Sequence, residues 1–415
     1  MKVDRDILNN LCLNITDGEH GTIQNDNDGR YFLLSNKNII NGQIIISDAD
    51  RRINKESFSK INKRTKLENG DLVISTVGVL GKLAIIKAEN LNYDFQRSVG
   101  IVKCDEKKIN TKYLYYYLNT QFVQNRLNHL SKGAVQKCLF ISDLKNLEID
   151  FPDLPTQQKI ASVLSALDDK IELNNRINVE LEAMAKTLYD YWFVQFDFPN
   201  EEAKPYKSSG GKMVYNETLK REIPEGWEVK KLKKVLKTYL GGTPSTKNLE
   251  YWRGNIPWLN SGEVANFPLI NTEQFISKEA VKNSSTKFLK KGSVLLSITR
   301  HLRVNILGID ACVNQSVAGI EENEKFKYPY IYFFLINDIN RLMSLRSGAQ
   351  QPHINKETVD TIPFLVPSEN ILNKYYIIAT PIFEKIFNNA KQNQELSALR
   401  DWLLPMLMNG QVKVG

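Results

Sequence analysis

PDLPTQQKIASVLSALDDKIELNNRINVELEAMAKTLYDYWFVQF, residues 152–196, reads as one long helix. Apolar residues fall at Ile160, Leu164, Leu167, Ile171, Leu181, Leu188 and Trp192, and Ala185 fits the same seam. Steps of three and four make the stripe of a helix that packs along another helix. Pro155 suits the first turn, where a missing N–H costs nothing. At ~1.5 Å per residue, a helix from Thr156 to Trp192 would be roughly 55 Å long. Asn174 and Asn178 also lie on the seam. A polar residue there sets register and partner at some cost in stability.

The partner lies in the same chain. Leu167, Ile171, Asn174, Asn178, Leu181 and Leu188 recur as Ile382, Ile386, Asn389, Asn393, Leu396 and Leu403, a constant offset of 215 residues. The offset holds from Gly133 and Gly348, through Pro152 and Pro367, to the helix ends. The chain is therefore a tandem repeat of a globular unit followed by a long helix, and the two helices are expected to pair.

The 415 residues suffice for two or three domains, and 42% hydrophobic with 25% charged residues is the balance of a globular protein. The net charge of +8 is compatible with a polyanionic partner and does not require one. Cys12, Cys104, Cys138 and Cys312 have neither metal-ligand nor disulfide-framework spacing. The opening MKVDRDILNN lacks the apolar core of an export signal, and apolar runs such as 331–336 cannot span a bilayer. A cytoplasmic protein with no membrane partner is expected.

Residues 1–151 read as a mixed α/β (α+β) unit. Strands are expected at 71–76, 82–87 and 98–103, and one amphipathic helix at 111–130. A spacer helix follows to about residue 197. Residues 198–222, rich in Pro, Gly, Ser and charge, read as a linker. The second unit, 223–367, repeats the order with strands at 293–298, 305–310 and 314–320 and a helix at 328–345. Residues 368–415 form the distal helix. The offset drifts from 222 at Gly70/Gly292 to 217 at Tyr113/Tyr330, so insertions cluster in loops. One scaffold carrying two different recognition surfaces would look like this.

No catalytic constellation is present. The run at 78–83, GVLGKL, lacks phosphate-loop spacing and reads as a strand turn; Asp105, Glu106 and Lys107 are a chance tripeptide; the four histidines lack metal spacing. No amino-methyltransferase tetrapeptide occurs, nor a glycine-rich loop for S-adenosylmethionine. Residues able to read a polyanion do recur at matching places. Thr16, Asp17, Gly18, His20 and Thr22 answer to Gly242, Thr243 and Ser245; Lys37 and Asn38 to Trp258, Asn260, Ser261 and Glu263. Thr76, Gly78 and Lys82 answer to Thr299, Arg300, His301 and Arg303; Gln96, Arg97 and Ser98 to Asn314 and Gln315; Lys132 and Gln136 to Arg346, Gln350 and Gln351. Glycines admit close backbone approach, hydroxyls bond phosphates, Arg grips guanine, and Asn or Gln grips adenine. Each residue alone could equally be ordinary surface.

With these strings in view, the chain resembles the specificity (S) subunit of type I restriction–modification enzymes over essentially its full length. IPEGWEVKKL, GGTPS with YWRGNIPWLNSGEV, LPTQQKIASVLSALDDKIELNNR and LRDWLLPMLMNG carry the resemblance. It implies two target-recognition domains, each reading half of a split duplex sequence, joined by two long antiparallel helices. It implies docking of two methyltransferase (M) subunits and restriction (R) subunits. S-adenosylmethionine, ATP and magnesium would be held by those partners, with no cofactor or metal on this non-catalytic chain. The first unit lacks the GGTPS and IPWLNSGEV strings, which leaves its reading loops less sharply placed. A helical scaffold without sequence preference, and the specificity half of a related type II enzyme, are the alternative readings.

Overall fold

The computed structural model describes residues 3–88, 91–132, 137–348, 352–412 and 414. The chain divides into two compact units, residues 1–170 with 395–415 and residues 171–394. The boundary thus falls inside both long helices, Leu154–Tyr189 and Glu369–Met408.

The first unit is built on a four-stranded antiparallel sheet in the order Cys12–Asp17, Val99–Cys104, Leu72–Ser75, Leu83–Ile85. The strand LVIS is buried throughout, as an inner strand covered on both faces must be. Its side chains alternate between two cores: Leu72 and Ile74 join the helices Thr111–Asn119 and Gln121–Leu130, while Val73 joins Phe95 and Ile101. A second sheet centres on Tyr31–Leu34, flanked by Arg52–Ile53 and, in parallel, by Tyr93–Phe95.

The second unit repeats this order with Lys237–Leu240, Val317–Glu321, Val294–Ser297 and Val304–Ile306. Its second sheet likewise pairs Ile256–Leu259 in parallel with Ala311–Val313. Even single bonds recur. Tyr113 donates to the Asp150 carbonyl at 3.2 Å, and Tyr330 to the Leu365 carbonyl at 2.8 Å.

Three expectations are corrected. The helix expected over 111–130 breaks at Thr120, whose extended ψ of 143° ends one helix while its hydroxyl caps the next. The strands begin or end a residue or more inside the expected runs, because the flanking residues enter turns. Residues 198–222 are ordered rather than loose: Met213–Asn216 pairs with Arg221–Pro224, and Phe198 stacks between Tyr206 and Trp227 at 4.6 and 5.1 Å. Scattered aromatics fix this segment, and periodicity cannot register them.

The helix pairing appears in each unit by itself. In the second, Asn174 Nδ2 donates to Asn393 Oδ1 and Gln392 Oε1, both at 2.8 Å. Asn389 Nδ2 donates to Asn178 Oδ1 at 2.9 Å. Ile386 is buried, and Leu181, Leu188 and Ile382 pack against the same core, which also holds Ala185 and Trp192. In the first unit, Arg400 Nη1 donates to Asp168 Oδ1 at 2.7 Å, and Leu403 and Leu407 share a core with Ile160 and Leu164. Partner numbers fall as the others rise, so the helices run antiparallel. Leu167, Ile171 and Leu396 are half-buried.

Candidate nucleic-acid interface

In each unit the candidate loops meet at one end of the main sheet, and the same backbone bonds hold them there. In the first, Gly18 N–H donates to the Val99 carbonyl at 3.0 Å and Glu19 N–H to Phe95 at 2.8 Å. In the second, Gly241 donates to Val317 at 3.0 Å and Gly242 to Val313 at 2.9 Å. Only glycine fits at the first of these positions. A Cβ would lie 2.1 Å from the Phe95 oxygen at Gly18, and 2.2 Å from the Asn314 oxygen at Gly241. Further bonds gather the remaining loops. Arg97 N–H reaches the Glu19 carbonyl, Thr76 N–H that of Ser98, and Gly78 N–H that of Lys137, each at 2.9 Å. In the second unit Ile298 N–H reaches Ser316, Asn314 reaches Leu259, and Arg300 reaches Pro352, again at 2.9 Å.

His20, Thr22, Lys37, Gly78, Arg97 and Lys132 are exposed on the first unit, and Thr243, Ser245, Arg300, His301, Arg303 and Gln315 on the second. Thr16, Asp17, Lys82, Gln96 and Ser98, with Asn260, Ser261, Glu263, Thr299, Asn314 and Arg346, are half-buried. Gln136, Gln350 and Gln351 lie outside the described residues.

Several candidates are spent inside their unit. Asn38 is 3% exposed; its amide caps a short turn, accepting from Ser35 N–H and donating to the Ile45 carbonyl. Thr76 is buried, with its hydroxyl on the Arg97 carbonyl. Trp258 is buried, with its indole N–H on the Gly242 carbonyl at 3.0 Å. Glu263 accepts from Asn260 N–H and the Thr272 hydroxyl, both at 2.9 Å. These four frame the loops. Lys37 is exposed but sits 2.8 Å from Asp50. Burial opposes the Asp50 charge, yet Lys37, the Ser47 backbone and Asn38 outweigh it and hold the carboxyl well below its ordinary range.

The turn between the third and fourth strands of each main sheet shows how one scaffold carries two chemistries. Gly78 has φ of +76°. Its counterpart Arg300 has φ of +57°, a conformation that costs a non-glycine residue roughly 1–2 kcal/mol. Its carbonyl accepts from Arg346 Nη1, which offsets part of that cost. The second unit thereby presents Arg300, His301, Arg303 and Arg346 together.

Arg64, absent from the sequence-based set, also reaches the first unit's loop end. It ends the helix Lys55–Thr65, and its Nη2 donates to the Gly18 carbonyl. The signal for that helix was its Asn54 cap, whose side chain accepts from Ser57 N–H at 2.9 Å.

Among the described residues, no three His, Cys, Asp or Glu side chains gather as a metal site, and no helix is long and apolar enough to cross a membrane.

Two compact units with matching loop ends are thus in place, and comparison with known proteins gives the family. The type I restriction modification DNA specificity domain matches residues 19–183 and again 224–398. The chain belongs to this family and is a type I restriction–modification DNA specificity subunit. It is 30% identical over 384 residues to the type I restriction enzyme MjaIX specificity subunit of Methanocaldococcus jannaschii, covering 89% of this chain and 84% of that one. It is 27% identical over 401 residues to the HindI specificity subunit of Haemophilus influenzae, covering 83% and 87%. Among solved structures, the S subunit of a type I restriction–modification system from M. genitalium shares the fold at a TM-score of 0.57 and 18% identity, covering 98% of this chain and 96% of that one.

Proposed function

We propose that each unit reads one half of a split duplex target through its loop end, and that the chain brings that target to methyltransferase and restriction subunits. One observation carries the reading. The two loop ends share their backbone bonds and their glycine turn, yet differ in nearly every exposed side chain. A common frame with divergent tips suits two readers of different sequences. Phosphate contacts from the exposed Lys and Arg residues would supply affinity, and contacts to base edges would supply sequence. The helix pair offers partners exposed apolar residues, among them Val179, Met184, Ile377 and Trp402. Methyl transfer and cleavage, with S-adenosylmethionine, ATP and magnesium, belong to those partners.

The test is methylome sequencing of a host with the wild-type system and with Arg300→Ala or Arg303→Ala. The wild type should mark a two-part motif. An arginine on guanine contributes about 1–3 kcal/mol of discrimination, so either variant should relax one half-site and leave the other unchanged. The purified chain alone should transfer no labelled methyl group to duplex. Transfer without a partner, or an unsplit motif, would overturn the proposal.

A further inference from the structure

The two units place exposed arginines at different turns. In the second, the exposed arginines stand on the turn between its third and fourth main-sheet strands, at 300 and 303. The matching turn of the first unit, residues 77–82, has no arginine: Val79 is 62% exposed, and Lys82, in the place of Arg303, is half-buried. Two exposed arginines of the first unit stand instead beside its glycine turn. His20 and Arg97 are exposed there, and Arg64 joins them from the end of its helix. Arg64 Nη2 donates to the Gly18 carbonyl, and Nη1 lies 3.7 Å from Asp17 Oδ1. The other Asp17 oxygen is 2.7 Å from His20 Nε2. A carboxylate facing a polyanion is unfavourable by itself; between an imidazole and a guanidinium it serves to orient them.

We propose that Arg64 is a base-reading residue of the first unit, its guanidinium held by Asp17 and the Gly18 carbonyl so that its remaining donors meet a guanine of that half-site. This rests on the function proposed above. Three observations support it. The side chain is 42% exposed although a hydrogen bond to the Gly18 carbonyl and an ion pair with Asp17 tether it, so its fork faces solvent. A tethered arginine gives up little rotamer freedom when it binds. In the second unit a different side chain lies against the glycine turn, Ser285, whose Oγ would lie 2.3 Å from a Cβ on Gly242. Both residues thus abut the glycine turn, one with a guanidinium and one with a hydroxyl.

The experiment uses the full chain with its methyltransferase subunits on a duplex library randomised in both half-sites. Arg64→Ser replaces the guanidinium with a hydroxyl, and Arg64→Lys keeps the charge but loses the fork. With Arg64→Ser, preference at one base pair of the first half-site should fall about 5- to 150-fold, and the second half-site should stay as it was. Arg64→Lys should recover binding without recovering that preference. Thermal unfolding of each variant is read alongside, and Arg64→Lys decides the outcome if Arg64→Ser does not fold. An unchanged motif in a folded variant would show that Arg64 only closes the turn. Weaker binding with an unchanged motif would make it a phosphate contact. Either result overturns the proposal while leaving the split-target reading intact. A wild-type complex with no two-part motif would overturn both.

Discussion

Gly18 and Gly241 show how much one missing methyl group decides. At each, a Cβ would fall 2.1 to 2.2 Å from a backbone oxygen of the facing strand turn. That oxygen cannot retreat without opening the bonds that gather the loops. Gly18→Ala and Gly241→Ala should each destabilise their own unit by about 1–3 kcal/mol, measured by denaturant unfolding. Asp94 makes a different case. It is fully buried, accepting from the Thr65 hydroxyl at 2.6 Å and Phe95 N–H at 2.8 Å. Burial raises its carboxyl above the ordinary range. A raised folded value favours the protonated form, so its contribution is full below the unfolded value and is lost as pH rises through the folded one. Asp94→Asn should therefore stabilise the protein at neutral pH, and the gain should shrink on acidification. Melting temperatures across that range check the sign.

At the scale of elements, the helix pair is held by an amide network set within an apolar seam. Asn174 is 1% exposed and Asn389 4%, and each donates to an amide across the pair. Removing Asn174 takes the donor away from Asn393 Oδ1, which is half-buried in the seam, and leaves a hole where a buried amide stood. Asn174→Ala should cost about 1–3 kcal/mol, more than alanine at a solvent-facing helix position such as Glu180. Equal stability of the two variants would show that the network does not hold the pair. The same seam explains why the long helix was readable from its sequence: a stripe recurring over many turns survives local irregularity. The short helix Lys55–Thr65 carries too few turns for that, and Arg64 was missed with it.

For the whole molecule, the repeat makes the chain its own partner. Asn174 bonds Asn393, the copy of Asn178, and Asn389, the copy of Asn174, bonds Asn178. Two copies of residues 1 to about 196 could therefore pair through their own seams, Asn174 against Asn178 in both directions. The apolar stripe, at ~25 cal/mol per Å² of buried apolar area, would drive that association. One contact would not be reproduced. Arg400, which grips Asp168, has Ala185 as its counterpart, so Asp168 would lose its guanidinium. Light scattering should find a dimer of the truncated chain that melts below the full-length protein. With methyltransferase present it should mark a palindrome of the first half-site. A monomer at micromolar concentration would contradict the pairing.

Periodicity and self-similarity alone determined the repeat, the long helices and their seam, because each is written in residues at regular intervals; the family was legible only through the resemblance of particular strings such as IPEGWEVKKL and LRDWLLPMLMNG. The inner strands of the main sheets were legible too, since they must be apolar on both faces, whereas the edge strands Cys12–Asp17 and Lys237–Leu240 were not. The loop ends were legible as places and not as residues. Asn38, Thr76 and Trp258 have the chemistry of readers but are buried, while Arg64 reaches the same turn from a helix more than forty positions away in sequence. Which side chain of a loop faces outward depends on what packs beneath it, and that is decided by contacts between distant segments. Only the tertiary structure, which closes those contacts, separates the residues that frame a loop from those it presents.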